Sequence, residues 1–345
     1  MDKFDAIIIG AGTAGLSAGI ALQKAGKNYV ILDRKKEIGL PVRSTGALTT
    51  HWAKKLGMPM DKEIVTSPVK NVSFRTDTGK KISLRYDEPV GLIYDFTKYE
   101  KFLADKYAGH LNYRLETNVT SVDGSIVHTD DGDMQADLVI YASGPQSAFG
   151  PRLKKTEVLV AYEEIREVKQ KDDYEMILWF TKETPGGYIW NFADSESTRK
   201  IGVCYYPLSG IQPKVVLDNF TSRNRELDGN MLHSMAHQIP LAAPVETVIR
   251  GNSLYVGDMV NAVLNTTAGG LQGAFWTGKI AGEAVVAGDL TVYQRKWDSE
   301  IRPWLLKHHN LHRRLHKKGP KSIGRIMTLA KFMPLSTRRR MFGGL

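Results

Sequence analysis

Three glycines at a fixed spacing follow a short apolar run near the start of the chain. Gly10, Gly12 and Gly15 form G-x-G-x-x-G directly after the apolar residues 6–9. In such a motif the first glycine allows a tight turn, the second lets the backbone approach a pyrophosphate, and the third lets the next helix pack closely. The helix then presents free N–H groups and the positive end of its dipole to the phosphates. The chemistry that this spacing indicates is dinucleotide binding.

An acidic residue stands where the second strand of such a unit ends. Residues 29–32 (YVIL) are typical of a buried strand, and Asp33 follows them. A carboxylate at this position can accept hydrogen bonds from a ribose diol. Strand, glycine turn, helix, strand and acid in this order predict a β-α-β unit over residues 4–34 that grips a dinucleotide.

Two later segments complete the pattern of a dinucleotide-binding lobe. Residues 136–144 (ADLVIYASG) predict a buried strand that ends in a small-residue turn, and residues 253–258 (SLYVGD) predict another, before a long helix near Gly269. Between them, residues 156–250 alternate in a way that predicts a mostly antiparallel sheet. A hairpin is predicted over residues 68–86, and Thr97 with Glu100 predicts a capping box that opens a helix.

The resulting fold class is α/β, with a Rossmann-like lobe, a mostly antiparallel-sheet substrate lobe and a C-terminal helical tail. We place the first lobe at residues 1–155 and 251–290, the second at 156–250 and the tail at 291–345. A chain of 345 residues can bury such a core. With Cys204 as the single cysteine, no internal disulfide can form, which favours a cytoplasmic location. No apolar run is long enough to span a bilayer.

Four local motifs resemble a known family of flavoproteins. Residues 39–46 (GLPVRSTG) resemble its G-x-P-V-R-C-G-E-G loop, and residues 90–94 (VGLIY) match its next segment. Residues 185–192 (PGGYIWNF) resemble its P-x-G-Y-x-W-x-F-P, and Gly257-Asp258 with Gly269-Gly270 match its GD…GGG. The chain thus resembles FAD proteins of the para-hydroxybenzoate hydroxylase fold, most of all the geranylgeranyl reductase family. This sequence departs from the family at four positions. Ser44 stands where the family has the loop cysteine, Phe96 where it has an arginine, Ala193 where it has a proline and Ala268 where it has the first of three glycines.

The resemblance implies that the dinucleotide is FAD and that the chain reduces carbon–carbon double bonds of an isoprenoid or lipid-like substrate. Hydride would pass from the reduced flavin, which an unidentified external donor reduces. A flavin-dependent monooxygenase and a non-catalytic lipid-binding flavoprotein are the alternatives. The expected cofactor-binding residues are Gly10, Gly12, Ala14, Gly15, Asp33, Arg34, Arg43, Ser44, Gly46, Val119, Gly144, Asp258, Gly269, Gly270 and Leu271.

Three aromatic residues alternate along one predicted strand. Tyr188, Trp190 and Phe192 point to one face because strand side chains have a period of two. They suit the wall of a cavity for a long hydrocarbon, although a face packed on its own core is an equal alternative. Tyr188 and Trp190 are the candidate catalytic residues, as parts of that wall, and Tyr188 is a candidate proton donor.

The tail carries the excess charge of the protein. The formal net charge is +10, and residues 290–345 hold fourteen lysines and arginines but only two acids. Beyond Pro320, Ile323, Ile326, Met327, Ala330 and Met333 form an apolar stripe among basic residues. This pattern predicts that residues 320–345 dock on an anionic membrane surface. The alternatives, in order, are a lid over the substrate cavity and a patch that binds nucleic acid. The histidines 308, 309, 312 and 316 have a spacing that suits a metal, but surrounding charges favour a solvated basic face.

Overall fold

The computed structural model describes residues 1–150, 152–168, 174–318, 320–330 and 332–337. Its α-helices are α1 (Thr13–Lys24), α2 (Thr50–Leu56), α3 (Phe96–Asp105), α4 (Pro213–Arg223), α5 (Leu271–Ala287), α6 (Thr291–Lys296), α7 (Arg302–Lys318) and α8 (Pro320–Ala330). Its strands are β1 (Lys3–Ile9), β2 (Tyr29–Leu32), β3 (Ala47–Thr49), β4 (Val65–Val69), β5 (Asn71–Thr76), β6 (Lys81–Arg85), β7 (Gly91–Tyr94), β8 (Tyr113–Arg114), β9 (Val119–Asp123), β10 (Ile126–Thr129), β11 (Gly132–Tyr141), β12 (Val158–Glu167), β13 (Glu175–Phe180), β14 (Tyr188–Ala193), β15 (Thr198–Tyr205), β16 (Met231–Pro240), β17 (Ile249–Arg250) and β18 (Ser253–Tyr255).

The first lobe is built on a sheet with the order β17-β18-β11-β1-β2-β8, which β10 and β9 extend from β11. Strand β1 pairs in parallel with β2 on one side and with β11 on the other. Strand β18 in turn pairs in parallel with β11. Since these strands come from both ends of the chain, the lobe is discontinuous in sequence, and the predicted β-α-β unit lies at its centre.

Helices α1 and α5 pack closely in this lobe because small residues line their contact. A Cβ at Gly278 would overlap the carbonyl oxygen of Ala14, and one at Gly282 would lie 2.6 Å from that of Ala18. The hydroxyl of Ser17 donates a hydrogen bond of 2.8 Å to the carbonyl of Phe275. Side chains larger than hydrogen at the two glycines would therefore force the helices apart.

The second lobe is a seven-stranded sheet with the order β16-β12-β15-β14-β13-β5-β6. Every pair is antiparallel except β13 with β5. The mostly antiparallel sheet is as predicted, but our boundary at residue 156 differs from the structure. The predicted hairpin, now β5 and β6, belongs to this sheet and not to the first lobe. Its apolar face, with Val72, Phe74, Ile82 and Leu84, is buried in the core of the second lobe.

The tail is helical and packs on both lobes. Trp297, Ile301 and Leu305 are completely buried in the core of the first lobe. Met327 and Ala330 of α8 are completely buried in the second, where Ile323 and Met333 also pack. The predicted apolar stripe of residues 323–333 therefore faces the protein, because the adjoining sheet offers it an apolar face. Within the described part of the chain, no helix has the length and apolar character needed to cross a membrane.

Candidate FAD site and substrate cavity

The three glycines of the first turn differ in what surrounds them. Gly10 has a φ of +112°, and a Cβ there would lie 2.5 Å from the carbonyl oxygen of Ala142. A Cβ at Gly15 would overlap the carbonyl oxygen of Gly10. At Gly12, in contrast, the nearest atom to a Cβ would be Oε1 of Glu100, at 3.7 Å. Gly10 and Gly15 are thus required by the fold itself, whereas Gly12 keeps open space beside the first turn of α1, as binding of a pyrophosphate requires.

Three charged side chains hold this turn from behind. The carboxylate of Asp33 accepts hydrogen bonds from the N–H groups of Ala11, at 2.7 Å, and Lys35, at 3.0 Å. The ammonium of Lys35 donates to the carbonyl of Ala11 at 2.6 Å and lies 3.6 Å from Oε2 of Glu100. Asp33 therefore shapes the turn with both oxygens, in addition to the ribose contact that we propose for it.

Glu100 was not predicted at this site. The sequence placed it in a capping box with Thr97, but the cap of α3 is Asp95, which accepts a hydrogen bond from the N–H of Lys98 at 3.1 Å. Glu100 instead turns inward, is 5% exposed and accepts a hydrogen bond from the hydroxyl of Thr13. Burial raises its pKa, while the nearby Lys35 acts in the opposite direction. An acid four residues into an amphipathic helix gives no sequence signal for such a role.

A second acid lies where the distant segments of the first lobe converge. Gly257 approaches α1, since its Cβ would lie 3.0 Å from that of Ala14. The next residue, Asp258, has its Oδ1 3.4 Å from the position of a Cβ at Gly270. Burial raises the pKa of Asp258 to about 6. Its carboxylate therefore lies between the glycine turn and the start of α5, where a hydrogen-bond donor of the cofactor would satisfy it.

The structure distributes the remaining predicted cofactor residues unevenly. Ser44 accepts a hydrogen bond from the N–H of Gly46 at 3.1 Å. Gly144 follows the Ala142-Ser143 segment that packs against Gly10. Arg34 and Arg43 are exposed, and Val119 packs in a cluster beneath the first sheet. No hydrogen bond or ion pair of the described residues joins Arg34 or Val119 to the glycine turn, so their roles stay predictions from the sequence.

A large cavity adjoins these segments. It encloses about 1180 Å³ of empty space, including its open mouth. Gly269, Gly270 and Leu271 form part of its wall, next to Asp258. The remaining wall is mainly apolar and comes from both lobes: Ser44, Thr45, Ala47, Leu48, Thr49, Trp52, Val69, Val72, Phe74, Val90, Gly91, Met176, Leu178, Tyr188, Trp190, Phe192, Cys204, His237, Ile239, Leu264, Thr267, Ala268 and Gln272. The composition suits a long hydrocarbon.

The three aromatic residues of β14 all line this cavity. Their rings follow one another at 5.9 Å, from Tyr188 to Trp190, and at 6.4 Å, from Trp190 to Phe192. They also pack in the core of the second lobe, so they have both of the roles that the sequence left open. The Tyr188 hydroxyl donates a hydrogen bond to the carbonyl of Thr267. Burial raises the pKa of Tyr188, which makes it a poor proton donor.

A buried polar network behind the aromatic wall was also not predicted. Glu163 is 3% exposed and accepts hydrogen bonds at 2.7 Å from the Trp190 indole and the Thr45 hydroxyl. Lys200 is 4% exposed, donates to the carbonyls of Thr45 and Tyr94, and lies 3.3 Å from Asp194. These side chains line a second cavity, which shares Ser44 with the first. The network anchors the loop around Ser44 to the second lobe.

The histidines of α7 face the protein and not the solvent, so our expectation of a solvated basic face is wrong for them. Hydrogen bonds join His308 to Thr266 at 2.8 Å, His309 to Asn265 at 3.1 Å and His312 to Tyr206 at 3.1 Å. Burial lowers the pKa of each and favours the neutral form. The helix thus presents neutral imidazoles inward, and those of His308 and His309 hold the loop before Gly269. Lys307, Arg313 and Arg314 of the same helix are exposed.

Comparison with known proteins agrees with this architecture. A family model described as pyridine nucleotide-disulphide oxidoreductase matches residues 7–177. The digeranylgeranylglycerophospholipid reductase of Methanocaldococcus jannaschii is 25% identical over 92% of this chain and 88% of its own. Digeranylgeranylglycerophospholipid reductase 2 of Methanopyrus kandleri is 27% identical over 87% of this chain and 83% of its own.

Solved structures share the same fold. A geranylgeranyl bacteriochlorophyll reductase-like protein from Thermoplasma acidophilum superposes with a TM-score of 0.88 at 20% identity, covering 98% of this chain and 94% of that protein. PqsL from Pseudomonas aeruginosa, described as a probable FAD-dependent monooxygenase, gives a TM-score of 0.71 at 12% identity, covering 92% and 96%.

The fold and the glycine turn, together with these relatives, define an FAD-dependent oxidoreductase. The open space at Gly12 and the carboxylate of Asp258 fit that cofactor. Within this class, the chain is similar over most of its length to digeranylgeranylglycerophospholipid reductases.

Proposed function

We propose that this chain reduces carbon–carbon double bonds of an isoprenoid or similar lipid. The observation that carries the proposal is the large apolar cavity whose wall includes Gly269 and Gly270, the segment that also adjoins Asp258. Relatives named digeranylgeranylglycerophospholipid reductase support the choice of substrate class. When bound, reduced FAD supplies the hydride for such a reduction.

The residues of the chain bind the cofactor, shape the cavity and exclude water from it. We propose that Gly10, Gly12 and Gly15 hold the diphosphate and that Asp258 accepts a hydrogen bond from the neighbouring part of the cofactor. The first N–H groups of α5, beyond Gly270, would stabilise negative charge on the cofactor when it is bound.

Tyr188 and Trp190 act as parts of the cavity wall. The Tyr188 hydroxyl is committed to the carbonyl of Thr267, so this residue positions the loop that leads to Gly269. Trp190 is fixed by its hydrogen bond to Glu163 and presents its ring to the cavity. Rigid aromatic walls of this kind hold a flexible chain at a low entropic cost.

The function is tested with the FAD-loaded protein, reduced chemically under anaerobic conditions and mixed with a geranylgeranyl lipid. We expect the flavin spectrum to return to the oxidised form and the mass of the lipid to increase by two hydrogens per double bond reduced. Leu178 lines the cavity, so Leu178→Trp should fill it and abolish the reaction. Leu217, buried on the other face of the sheet, provides the control variant Leu217→Met, which should retain it. A lipid that gains oxygen instead, or no product with any geranylgeranyl lipid, would refute the proposal.

We further propose that the tail touches an anionic membrane surface through side chains that the protein leaves uncovered. Leu329, Phe332 and Leu335 are 63%, 86% and 46% exposed. Exposed basic residues, among them Arg325, Lys80 and Lys81, lie on α8 and on the β5–β6 hairpin beside it. Apolar side chains within a basic surface suit an anionic interface. Arg338, Arg339 and Arg340 lie outside the described residues.

Co-sedimentation with phosphatidylcholine vesicles, with and without phosphatidylglycerol, tests this contact. The wild-type protein should pellet with the anionic vesicles, and the double variant Leu329→Glu, Phe332→Glu should stay in the supernatant. A double substitution of exposed side chains is preferable to deleting residues 320–345, because deletion would uncover the core beneath Met327. Equal binding of the wild type and the double variant would exclude this surface.

A further inference from the structure

Glu163 lies at the partition between the two cavities. It lines the second cavity, which encloses about 740 Å³ of empty space, including its opening to solvent. Its Oε2 accepts hydrogen bonds of 2.7 Å from the Thr45 hydroxyl and the Trp190 indole, and both of these residues line the large cavity. The carboxyl group of Glu163 is therefore connected to the large cavity through these two side chains.

The second cavity gives this carboxyl group access to water. Leu40 and His233 on the cavity wall are exposed, so the cavity opens at the surface of the protein. While Oε2 of Glu163 accepts two hydrogen bonds, Oε1 accepts none from the described residues and yet is not completely buried. Oε1 is therefore the oxygen that can exchange protons with water in the second cavity.

The charges around Glu163 favour a proton on it. Lys200 lies 3.3 Å from Asp194 and donates hydrogen bonds to the carbonyls of Thr45 and Tyr94. Glu163 has no ion pair with the described residues, so two buried acids share one ammonium group. Burial raises the pKa of Glu163, and the charge of Lys200 acts in the opposite direction. A desolvated acid of this kind holds its proton more firmly than an acid in water.

The proposed reaction needs a proton that no side chain described above supplies. Adding two hydrogens to a double bond takes one hydride, which the proposed function assigns to reduced FAD, and one proton. The Tyr188 hydroxyl is committed to the carbonyl of Thr267, and burial raises its pKa. Thr45, in contrast, has a hydroxyl at the cavity wall with an acid directly behind it. A hydroxyl group is both a donor and an acceptor, so it can release one proton while it takes up another.

We propose that Glu163 supplies the proton of the reduction through Thr45, with water of the second cavity as its source. The O–H bond of Thr45 breaks as a C–H bond forms on the substrate, and the Thr45 oxygen takes the proton from Oε2 of Glu163. Water then returns a proton to the carboxylate at Oε1, and rotation of the carboxyl group brings this proton to Thr45 for the next turnover. No electrons pass along the path. Thr45 touches the substrate, whereas Glu163 acts through it.

The inference rests on the proposed function, because it assumes that a double bond is reduced in the large cavity. Its test is a single turnover of the FAD-loaded protein, reduced beforehand and mixed with a geranylgeranyl lipid under anaerobic conditions. Glu163→Gln keeps an acceptor for Trp190 and Thr45 but has no acidic proton, so reoxidation of the flavin should slow by at least about a hundredfold. Thr45→Val should have the same effect, because it interrupts the path, and Thr45→Ser should restore the rate.

The neighbouring Glu164 provides a matched control. It is 1% exposed and pairs with Arg166 at 2.6 Å, on the other face of β12. Glu164→Gln also removes a buried carboxylate, but it should leave the rate of the single turnover unchanged. A comparison of Glu163→Gln with Glu164→Gln therefore separates proton supply from the general cost of losing a buried charge.

The pH dependence distinguishes a proton donor from a structural residue. The wild-type rate should fall as the pH rises through the pKa of Glu163, since the donor must be protonated, and the profile of Glu163→Gln should lack this step. The other titratable groups that line the second cavity are Lys200, Asp194, Asp95 and His233. They are present in both proteins, so the difference between the two profiles isolates Glu163.

Infrared difference spectroscopy of the FAD-loaded protein without lipid gives a measurement that does not depend on turnover. The wild type should show the C=O band of a protonated carboxyl group, which loses intensity as the pH rises and shifts in D2O. The band should be absent from Glu163→Gln and present in Glu164→Gln. A wild type without this band at any pH at which it is folded would overturn the inference.

The remaining outcomes separate the inference from the proposed function. Wild-type rates in Glu163→Gln and Thr45→Val would overturn the inference and leave the proposed function intact. A slower variant with an unchanged pH profile would also overturn it, since a structural role explains that result. If Glu163→Gln does not fold, Thr45→Val and Thr45→Ser decide the question. If the wild type reduces no geranylgeranyl lipid, the proposed function fails and the inference with it.

Discussion

The indole N–H of Trp190 donates a 2.7 Å hydrogen bond to Oε2 of Glu163, a carboxylate that is 3% exposed. The same oxygen accepts a hydrogen bond from the hydroxyl of Thr45, which belongs to a loop that also lines the cavity. One buried carboxylate therefore links the aromatic wall to the loop that carries Ser44. The position of the loop relative to the aromatic wall is therefore set by hydrogen bonds and not by apolar packing alone.

Trp190→Phe should lower the free energy of unfolding by about 1–3 kcal/mol, because it leaves a buried carboxylate with one donor fewer. Urea unfolding measures the difference. Trp179 points to the other sheet face, where it packs on Phe220. In a double-mutant cycle with Glu163→Gln, Trp190 should show coupling and Trp179 should show none. Equal coupling for both tryptophans would contradict the role assigned to Glu163.

Substitutions of Gly12 and Gly15 should separate cofactor binding from folding. Gly12→Ala places a methyl group in open space, so the variant should fold with nearly unchanged stability and bind FAD much more weakly. Gly15→Ala overlaps the carbonyl of Gly10 and should destabilise the protein by several kcal/mol. Circular dichroism melting measures the stability of each variant, and flavin absorbance after reconstitution measures how much FAD it binds. Full flavin loading of Gly12→Ala would show that the diphosphate lies elsewhere.

Asp258 should make the cofactor-free protein less stable as the pH rises between about 4 and 6. Burial raises the pKa of Asp258 from 3.8 to about 6, so the folded state binds more protons than the unfolded state in this window. The contribution of Asp258 to stability is fully present below its pKa in the unfolded state and is lost as the pH rises through its pKa in the folded state. Between pH 4 and pH 6 the loss is on the order of 2 kcal/mol.

Asp258→Asn removes this titration and keeps the side-chain size. The difference in unfolding free energy between variant and wild type, measured at intervals across the window, isolates the contribution of Asp258 from that of other groups. The unfolding free energy of Asp258→Asn should increase relative to that of the wild type as the pH rises. A difference that stays constant with pH would show that the carboxylate is not desolvated in the folded protein.

His312 should make the protein less stable as the pH falls, which is the opposite of the pH dependence expected from Asp258. Burial, with charge on His316 and His309, lowers its pKa from 6.5 to about 4, so its stability contribution is present above pH 6.5 and is lost as the pH falls towards 4. It is 8% exposed and hydrogen-bonded to Tyr206. The acid side of the stability curve should therefore be flatter in His312→Gln. Hydrogen exchange of α7 amides, compared at pH 7 and pH 5, should show faster opening at pH 5 in the wild type than in the variant.

Much of the architecture could be predicted because it is periodic or has a fixed spacing. The β-α-β unit has a glycine at each position where the backbone or a neighbouring carbonyl excludes a side chain, and the alternation of β14 placed Tyr188, Trp190 and Phe192 on one face. The hairpin was predicted as an element, but its sheet was not, since pairing of β5 with β13 joins residues about a hundred positions apart.

The buried charges could not be predicted for a different reason. Glu163 and Lys200 lie in strands whose polar residues look solvent-facing in sequence, and only the tertiary fold shows that their partners are Trp190, Thr45 and Asp194. The histidines of α7 were misjudged because adjacent lysines and arginines dominated the pattern. A helical spacing of four places 308, 312 and 316 on one face, and that face proved to be the inner one.

The close approach of α1 and α5 has a consequence for folding during synthesis. Gly278 and Gly282 meet the carbonyls of Ala14 and Ala18, so α1 receives this partner only after some 250 more residues have been synthesised. Until then the face of α1 that packs on α5 has no cover, although β1, β2 and α3 already cover other parts of the helix. An apolar face that stays open during synthesis favours transient contacts with other chains or with chaperones.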